Sequence, residues 1–149
     1  MHILFVCTGN TCRSAMAETM FRAAAYQAKL RISTSSAGLC ALEGAPASAF
    51  AQCAMTRRGL NLAGHRARLF VSDMAAHALV LCMTEQQVNA VRQRAPHARV
   101  FSIAQFVGTG SDVPDPFGGD ETVYDACAEV LAQQMQLVLY RISQSDTIR

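Results

Sequence analysis

A cysteine and an arginine separated by five residues stand near the start of the chain, in the segment Cys7-Thr8-Gly9-Asn10-Thr11-Cys12-Arg13-Ser14. A thiolate is a strong nucleophile, and a guanidinium presents a planar fork of donors that can hold two phosphate oxygens at once. On one tight loop, the two groups could hold a phosphoryl group in line with the sulfur. The segment therefore predicts nucleophilic phosphoryl chemistry, with Cys7 as the nucleophile and Arg13 as the phosphate ligand.

The other residues of this segment suit a phosphate-binding loop. A loop that closes into a helix N-terminus points several backbone N–H groups inward and forms an anion cradle, whose positive field favours a thiolate. Gly9 and Asn10 tolerate a positive φ, which a tight cradle can require. The Ser14 hydroxyl can donate to the Cys7 sulfur. We expect the loop to be completed by Thr8, Thr11 and Cys12.

The elements on either side of the loop distinguish a catalytic cysteine from a structural one at a strand end. The apolar run 3–6 predicts a strand buried on both faces, and apolar residues at three- and four-residue spacing predict a helix over 13–29. Cys7 would then lie at the carboxyl end of a parallel strand, where such sheets bind ligands. This context favours the catalytic interpretation.

Strand and helix patterns alternate along the rest of the chain. Further strands are predicted at 31–36, 78–82 and 99–101, further helices at 47–58, 85–94 and 121–142, and a long loop at 108–119. With right-handed crossovers, this order predicts an α/β fold: a three-layer sandwich with a central parallel sheet of about four strands flanked by helices. Residues 1–149 are predicted to form a single domain.

Composition argues against several functional classes. The net charge is +2 without a basic run, which argues against nucleic-acid binding, and no apolar stretch reaches the roughly 18–20 residues that span a bilayer. The six cysteines lie mostly among apolar residues, so we expect free thiols and a cytoplasmic protein rather than a disulfide framework. No CxxC or HxxxH pair indicates a metal site.

Several motifs resemble those of one family, the low-molecular-weight protein tyrosine phosphatases. The segment 7–14 followed by Met16-Ala17-Glu18 is similar to that family's signature. Ser36-Ala37-Gly38, Gly64-His65-Arg66-Ala67-Arg68 and Asp115-Pro116-Phe117 follow in the family's order. The resemblance covers almost the whole chain and implies a four-stranded parallel sheet flanked by helices.

The resemblance implies a role for each matching residue. Cys7 would form a cysteinyl-phosphate and Arg13 would clamp the phosphate, with Asp115 as general acid and then as base toward water. Asp112 is the competing carboxylate, but only Asp115 heads an Asp-Pro-aromatic motif. The hydrogen-bond network that supports the loop would comprise Asn10, Ser14 and His65, with a further contact from Ser36. Phe117 would form one wall of the substrate cleft.

The implied mechanism needs no metal or organic cofactor. Its partners would be a phosphorylated protein as substrate and a phosphate or sulfate ion in the loop. Membrane and nucleic-acid partners are not expected.

Two features resemble the protein arginine phosphatase subgroup of bacteria rather than the common tyrosine phosphatases. Thr11 stands where tyrosine phosphatases typically carry isoleucine, and Asp115-Pro116-Phe117-Gly118-Gly119 replaces their Asp-Pro-Tyr-Tyr. A threonine hydroxyl could position the guanidinium of phosphoarginine or the attacking water, which isoleucine cannot do. An unsatisfied polar group in such a pocket costs about 1–3 kcal/mol, so phosphoarginine is the favoured substrate.

Phosphotyrosine remains the alternative substrate. Ala15 follows Ser14 where the family usually has proline, and Cys40 falls where an aromatic residue often forms the opposite cleft wall. A missing wall weakens the grip on an aromatic ring, which again disfavours phosphotyrosine.

Other functional classes fit less well. Thiol-coupled arsenate reductases share this fold and a similar loop, but they need relay cysteines, and the residue seven positions after Cys82 is Asn89. A non-catalytic phosphate-binding module would normally lack the nucleophile or the acid. Cys12 is either a small packing residue or the partner of Cys7 in a reversible disulfide that protects against over-oxidation.

Overall fold

The computed structural model describes residues 1–145, which form a parallel four-stranded sheet with helices on both faces. The spatial order of the strands is β2-β1-β3-β4, with β1 at His2–Cys7, β2 at Ser33–Gly38, β3 at Ala78–Cys82 and β4 at Arg99–Ser102. The helices are α1 at Arg13–Gln27, α2 at Ala49–Arg57, α3 at Glu85–Arg94, α4 at Ile103–Val107 and α5 at Glu121–Ser143. A short 3-10 helix covers Ser72–Ala75. The predicted α/β class and parallel sheet are confirmed.

The central strand β1 divides the core into two layers. Side chains alternate along a strand, so Ile3 and Phe5 face one side of the sheet and Leu4 and Val6 the other, and all four are fully buried. The first pair packs in a cluster with residues of α1, α2 and α5, and the second pair packs with residues of α3. Because helices cover both faces, the all-apolar run of β1 is the pattern that this position requires.

Strand β2 extends to Gly38, two residues beyond its predicted end at residue 36, so the predicted bound is wrong. Gly38 is paired on both sides: its register partner in β1 is Cys7, and its N–H donates to the Arg68 carbonyl at 2.8 Å. A Cβ at Gly38 would lie 2.6 Å from the Thr8 carbonyl oxygen and 2.9 Å from the Asn10 nitrogen. Glycine is needed at position 38 because the β2 backbone approaches the phosphate-binding loop too closely for a Cβ, and not because the chain turns there.

Helix α4 was not predicted from the sequence. A capping box between Ser102 and Gln105 starts this helix, and that motif was the available signal. On α5, the apolar residues Val123, Val130 and Leu137 are exposed. The face that packs comprises Tyr124, Cys127, Ala128, Leu131, Gln134, Met135, Val138 and Ile142.

Within residues 1–145, every helix is too short or too polar to cross a lipid bilayer.

The first prediction concerns Gly38. We expect Gly38→Ala to destabilise the protein by about 1–3 kcal/mol, because the new methyl group meets backbone atoms that cannot give way without moving the loop. Urea denaturation measures the free energy of unfolding. Gly64→Ala is the matched control, since a Cβ there meets no atom within 4 Å. Equal stability of the two variants would show that the loop adapts to the added group.

Candidate active site

The phosphate-binding loop joins the carboxyl end of β1 to the first turn of α1. Cys7 is the last residue of β1 and is 3% exposed, and Arg13 is the first residue of α1. No side chain caps the N-terminus of α1, and its first turn contains no acidic residue. Its first N–H groups and the positive end of the helix dipole are therefore directed at the loop, which suits an anion.

The sulfur of Cys7 accepts hydrogen bonds from within the loop. The backbone N–H of Asn10 donates to Cys7 Sγ at 3.3 Å, and Ser14 Oγ lies 2.9 Å from the same sulfur. Ser14 Oγ also accepts from Asn10 Nδ2 at 2.8 Å, which leaves the hydroxyl proton free to donate to the sulfur. These donors stabilise negative charge on Cys7.

Asn10 is the residue that holds the loop in shape. It is fully buried with φ of 56°, in the left-handed region that asparagine tolerates better than most residues. Its Oδ1 accepts from the Arg68 backbone N–H at 2.9 Å, and its carbonyl accepts from His65 Nε2 at 2.6 Å. The structure thus brings together the three predicted network residues, Asn10, Ser14 and His65.

Ser36, the fourth residue predicted for this network, has a different partner. Its hydroxyl donates to Glu18 Oε2 at 2.6 Å and so ties β2 to α1. Ser36 is buried, but within residues 1–145 its side chain makes no hydrogen bond to the loop.

Arg13 links the loop to the segment that carries Asp115. Its Nη1 donates to the Val113 carbonyl at 3.0 Å, and its Nη2 lies 3.5 Å from Asp115 Oδ2. Val113 is also anchored from the other side, because its N–H donates to the Met83 carbonyl just beyond β3. The Arg13 side chain is 6% exposed, whereas that of Asp115 is 54% exposed and accessible to a substrate.

The two candidate aspartates have different surroundings. Asp112 Oδ1 accepts from the Glu85 backbone N–H at the start of α3, which is a structural helix-terminus contact. Asp115 Oδ1 accepts from the Phe117 N–H, and its other oxygen faces Arg13. Asp115 is thus the aspartate that lines the cavity above the loop.

That cavity has a volume of about 320 Å³ and is lined by Cys7, Thr8, Gly9, Asn10, Thr11, Cys12, Arg13, Asp115 and Phe117. Phe117 is 85% exposed at its edge, so it is available to cover a substrate. The exposed Cys40 lines an adjoining cavity of about 570 Å³, which shares Thr8, Arg13 and Asp115 with the first. Among the described residues 1–145, no aromatic side chain lines this adjoining cavity.

Two supporting residues were not predicted from the sequence. Gln87 Nε2 donates to Thr8 Oγ1 at 3.2 Å, and the Thr84–Gln87 capping box was the available signal. The Tyr124 hydroxyl lies 3.4 Å from Cys12 Sγ. Burial and this hydrogen bond raise the pKa of Tyr124 to about 12, so the phenol stays protonated. Cys12 also donates to Ser48 Oγ at 3.3 Å.

Cys82 is the cysteine that decides the arsenate reductase alternative. All six cysteines are free thiols. Cys82, the candidate relay cysteine, is fully buried in β3, and burial raises the pKa of its thiol far above the ordinary value. A thiol held in its neutral form has no nucleophilic function there.

The family model for low molecular weight phosphotyrosine protein phosphatase matches residues 2–147. The chain belongs to this phosphatase family. The resemblance stated from its motifs is therefore confirmed, and with it the class of enzyme, a hydrolase that acts on phosphorylated proteins.

Both protein-arginine-phosphatases and protein-tyrosine-phosphatases are similar to this chain. A protein-arginine-phosphatase of Geobacillus stearothermophilus is 39% identical over 134 residues, which is 87% of each chain. A low molecular weight protein-tyrosine-phosphatase of Acinetobacter johnsonii is 31% identical, covering 83% of this chain and 85% of its own. A structure of YwlE arginine phosphatase, a cysteine-to-serine mutant with a phosphorylated active-site serine, has a TM-score of 0.95 at 31% identity over the full length of both chains.

The second prediction separates the two contributions of Asn10. Asn10→Ala and Asn10→Gly both remove the amide that bonds Ser14 and Arg68, which costs about 1–3 kcal/mol for partners left unsatisfied. Only alanine also resists the positive φ, so we expect the alanine variant to have the lower free energy of unfolding in urea, by up to about 1 kcal/mol. A glycine variant as unstable as the alanine variant would mean that backbone strain at this residue is negligible.

Proposed function

We propose that this phosphatase removes phosphate from phosphoarginine side chains of proteins, through a cysteinyl-phosphate on Cys7. The observation that carries the proposal is the position of Thr11, which lines the cavity directly above the loop. Its Oγ1 lies 3.8 Å from Cys12 Sγ, a weak contact, so the hydroxyl remains able to bond a substrate or water.

The first chemical step follows from the contacts of Cys7 and Arg13. The thiolate attacks phosphorus while backbone N–H groups and the Arg13 fork hold the phosphoryl oxygens. A sulfur–phosphorus bond forms and the phosphorus–nitrogen bond to arginine breaks. Asp115 donates its proton to the leaving guanidino nitrogen, which restores an ordinary arginine side chain.

The second step regenerates the enzyme. The Asp115 carboxylate removes a proton from water, the water oxygen attacks phosphorus, and the sulfur leaves as a thiolate that Ser14 stabilises. Inorganic phosphate is released. The phosphorylated active-site serine in the YwlE mutant supports covalent catalysis at this position of the fold, because a serine replacing the cysteine carries the phosphoryl group in that protein.

Three considerations support phosphoarginine over phosphotyrosine. The relatives at 39% and 34% identity, from Geobacillus stearothermophilus and Bacillus subtilis, are named protein-arginine-phosphatases. The Cys40 side chain provides no aromatic surface against which a tyrosine ring could stack. Thr11 supplies a hydroxyl to a substrate that carries N–H groups beside phosphorus. The cytoplasm is the compartment we propose, since a catalytic thiolate requires reducing surroundings.

The third prediction tests the role of Thr11. With phosphoarginine and phosphotyrosine peptides of one sequence, we expect a preference for phosphoarginine in kcat/KM of at least about tenfold, or about 1.4 kcal/mol. Thr11→Val removes the hydroxyl with little change of shape, and Thr11→Ile also adds bulk. Both should lower the phosphoarginine rate more than the phosphotyrosine rate.

The outcomes of this experiment are distinct. Cys7→Ser should abolish turnover of both peptides. Turnover that persists in this variant would refute the cysteine mechanism. A wild-type preference for phosphotyrosine would leave the mechanism standing and assign the alternative substrate. An unchanged preference in Thr11→Val would show that the threonine hydroxyl does not select the substrate.

The fourth prediction assigns the general acid. We expect Asp115→Asn to lower kcat by about 10²–10⁴-fold, the usual contribution of general acid–base catalysis. Asp112→Asn is the matched control, because an amide oxygen can still accept the hydrogen bond from Glu85 at the start of α3. Steady-state kinetics on the phosphoarginine peptide measure both variants. A larger loss in Asp112→Asn than in Asp115→Asn would reverse the assignment.

A further inference from the structure

A third cavity, of about 340 Å³, shares no lining residue with the cavity above the phosphate-binding loop. We call it the basic cavity. Its volume lies within the range of small-molecule sites, which begins at about 300 Å³. The residues that define it are Glu18, Arg22, Thr34, His65, Arg66 and Arg68.

Positive charge dominates the lining of the basic cavity. The lining includes three arginines but a single carboxylate, that of Glu18. Glu18 is already engaged, because it accepts from Ser36 and lies 3.4 Å from Arg22. Among residues 1–145, neither Arg66 nor Arg68 forms an ion pair. Two guanidinium groups therefore border the cavity without a neutralising partner in the described part of the chain.

One further observation points to a ligand. The hydroxyl oxygen of Thr34 is buried and has no hydrogen-bond partner in residues 1–145, which is uncommon for a buried polar atom. Beside the cavity, burial and the charge of Arg68 lower the pKa of His2, and Glu18 opposes this shift in part. The Nε2 atom of His2 bonds the cavity residue Ser35.

We propose that the basic cavity is a second oxyanion site, which binds a phosphate group either as the free ion or on a small molecule. Guanidinium forks match the geometry of phosphate oxygens and hold them in bidentate pairs. Arg66 and Arg68 are the primary ligands in this proposal. The neighbouring hydroxyl groups supply further polar contacts.

The basic cavity is connected to the nucleophile by hydrogen bonds. The loop that carries Arg66 and Arg68 clamps Asn10 at two points, through His65 Nε2 and through the Arg68 backbone N–H. Asn10 in turn bonds Ser14, which lies 2.9 Å from the Cys7 sulfur. An anion that holds the two arginine side chains favours the arrangement of this loop that supports Asn10. Occupancy of the cavity therefore stabilises the phosphate-binding loop.

Isothermal titration calorimetry of the full chain with inorganic phosphate tests the site. We expect wild type to bind a second phosphate ion besides the one in the phosphate-binding loop. The double variant Arg66→Gln/Arg68→Gln should lose the second ion, with an affinity decrease of at least about tenfold, because the bidentate ligands are gone. The backbone bond from residue 68 to Asn10 remains in this variant, so the loop keeps its support.

Two variants control this experiment. Arg99→Gln removes an exposed arginine on β4, outside the cavity, and should leave both binding events unchanged. Glu18→Gln removes the carboxylate of the lining and should tighten the second binding event, a change in the opposite direction that loss of folding cannot mimic. A single phosphate ion in wild type, or a second ion that survives the double arginine substitution, would overturn the proposal.

Arg13→Ala, which weakens binding in the phosphate-binding loop, isolates the second site and identifies its ligand. Stronger binding of glycerol phosphate than of inorganic phosphate would assign the site to a phosphorylated small molecule, and the reverse order would assign it to the free ion. In the same variant, phosphate should slow hydrogen exchange at residues 64–68 and at Asn10. Protection absent from Asn10 would refute the connection to the loop, whatever the substrate of the enzyme.

Discussion

The structure of the active site depends on one buried asparagine. Asn10 holds a left-handed backbone, bonds the Cys7 sulfur through its N–H, bonds Ser14 through its amide nitrogen, and accepts from the 64–68 loop at its carbonyl and side-chain oxygens. Its four polar groups thus have partners from three parts of the chain, and a buried polar group left unpaired is costly. The loop therefore has its cradle shape only when β1, α1 and the 64–68 loop are all in place. The catalytic geometry is a product of the complete fold and not of the signature segment alone.

The sheet topology explains why these segments meet. The central strand β1 delivers Cys7 to the carboxyl edge, and its neighbours β2 and β3 end at the same edge. Gly38 at the end of β2 approaches the loop backbone from one side, and the segment after β3 anchors Val113 on the other. The anion site thus has walls from three consecutive strands in space, as expected for ligand sites of parallel α/β sheets.

Much of this arrangement could be predicted from the sequence because its signals are local. The apolar run of β1, the Cys-to-Arg spacing and the Asp-Pro-Phe motif each identify their own element. The sequence predictions failed where contacts between distant parts of the chain decide the structure. Gly38 resembles a turn residue, but its contact partner Thr8 is distant in sequence. The face of α5 that packs depends on α1 and α2, so an apolar pattern alone does not reveal that Val123, Val130 and Leu137 are exposed. Ser36 followed the family motif yet bonds Glu18, a contact that no spacing rule predicts.

The ion pair between Arg13 and Asp115 has a consequence for the end of the catalytic cycle. A buried guanidinium that loses its only anion is left with an expensive unpaired charge, which would hold the product in place. Here Asp115 Oδ2 lies 3.5 Å from Arg13 Nη2, so once Asp115 has given up the proton it took from water, its carboxylate can replace the departing phosphate. Phosphate release then exchanges one anionic partner of Arg13 for another and does not leave its guanidinium unpaired. In the proposed mechanism, Asp115 supplies the proton at the first step and, once deprotonated again, competes with the product for Arg13, so a tight phosphate complex does not have to dissociate unaided.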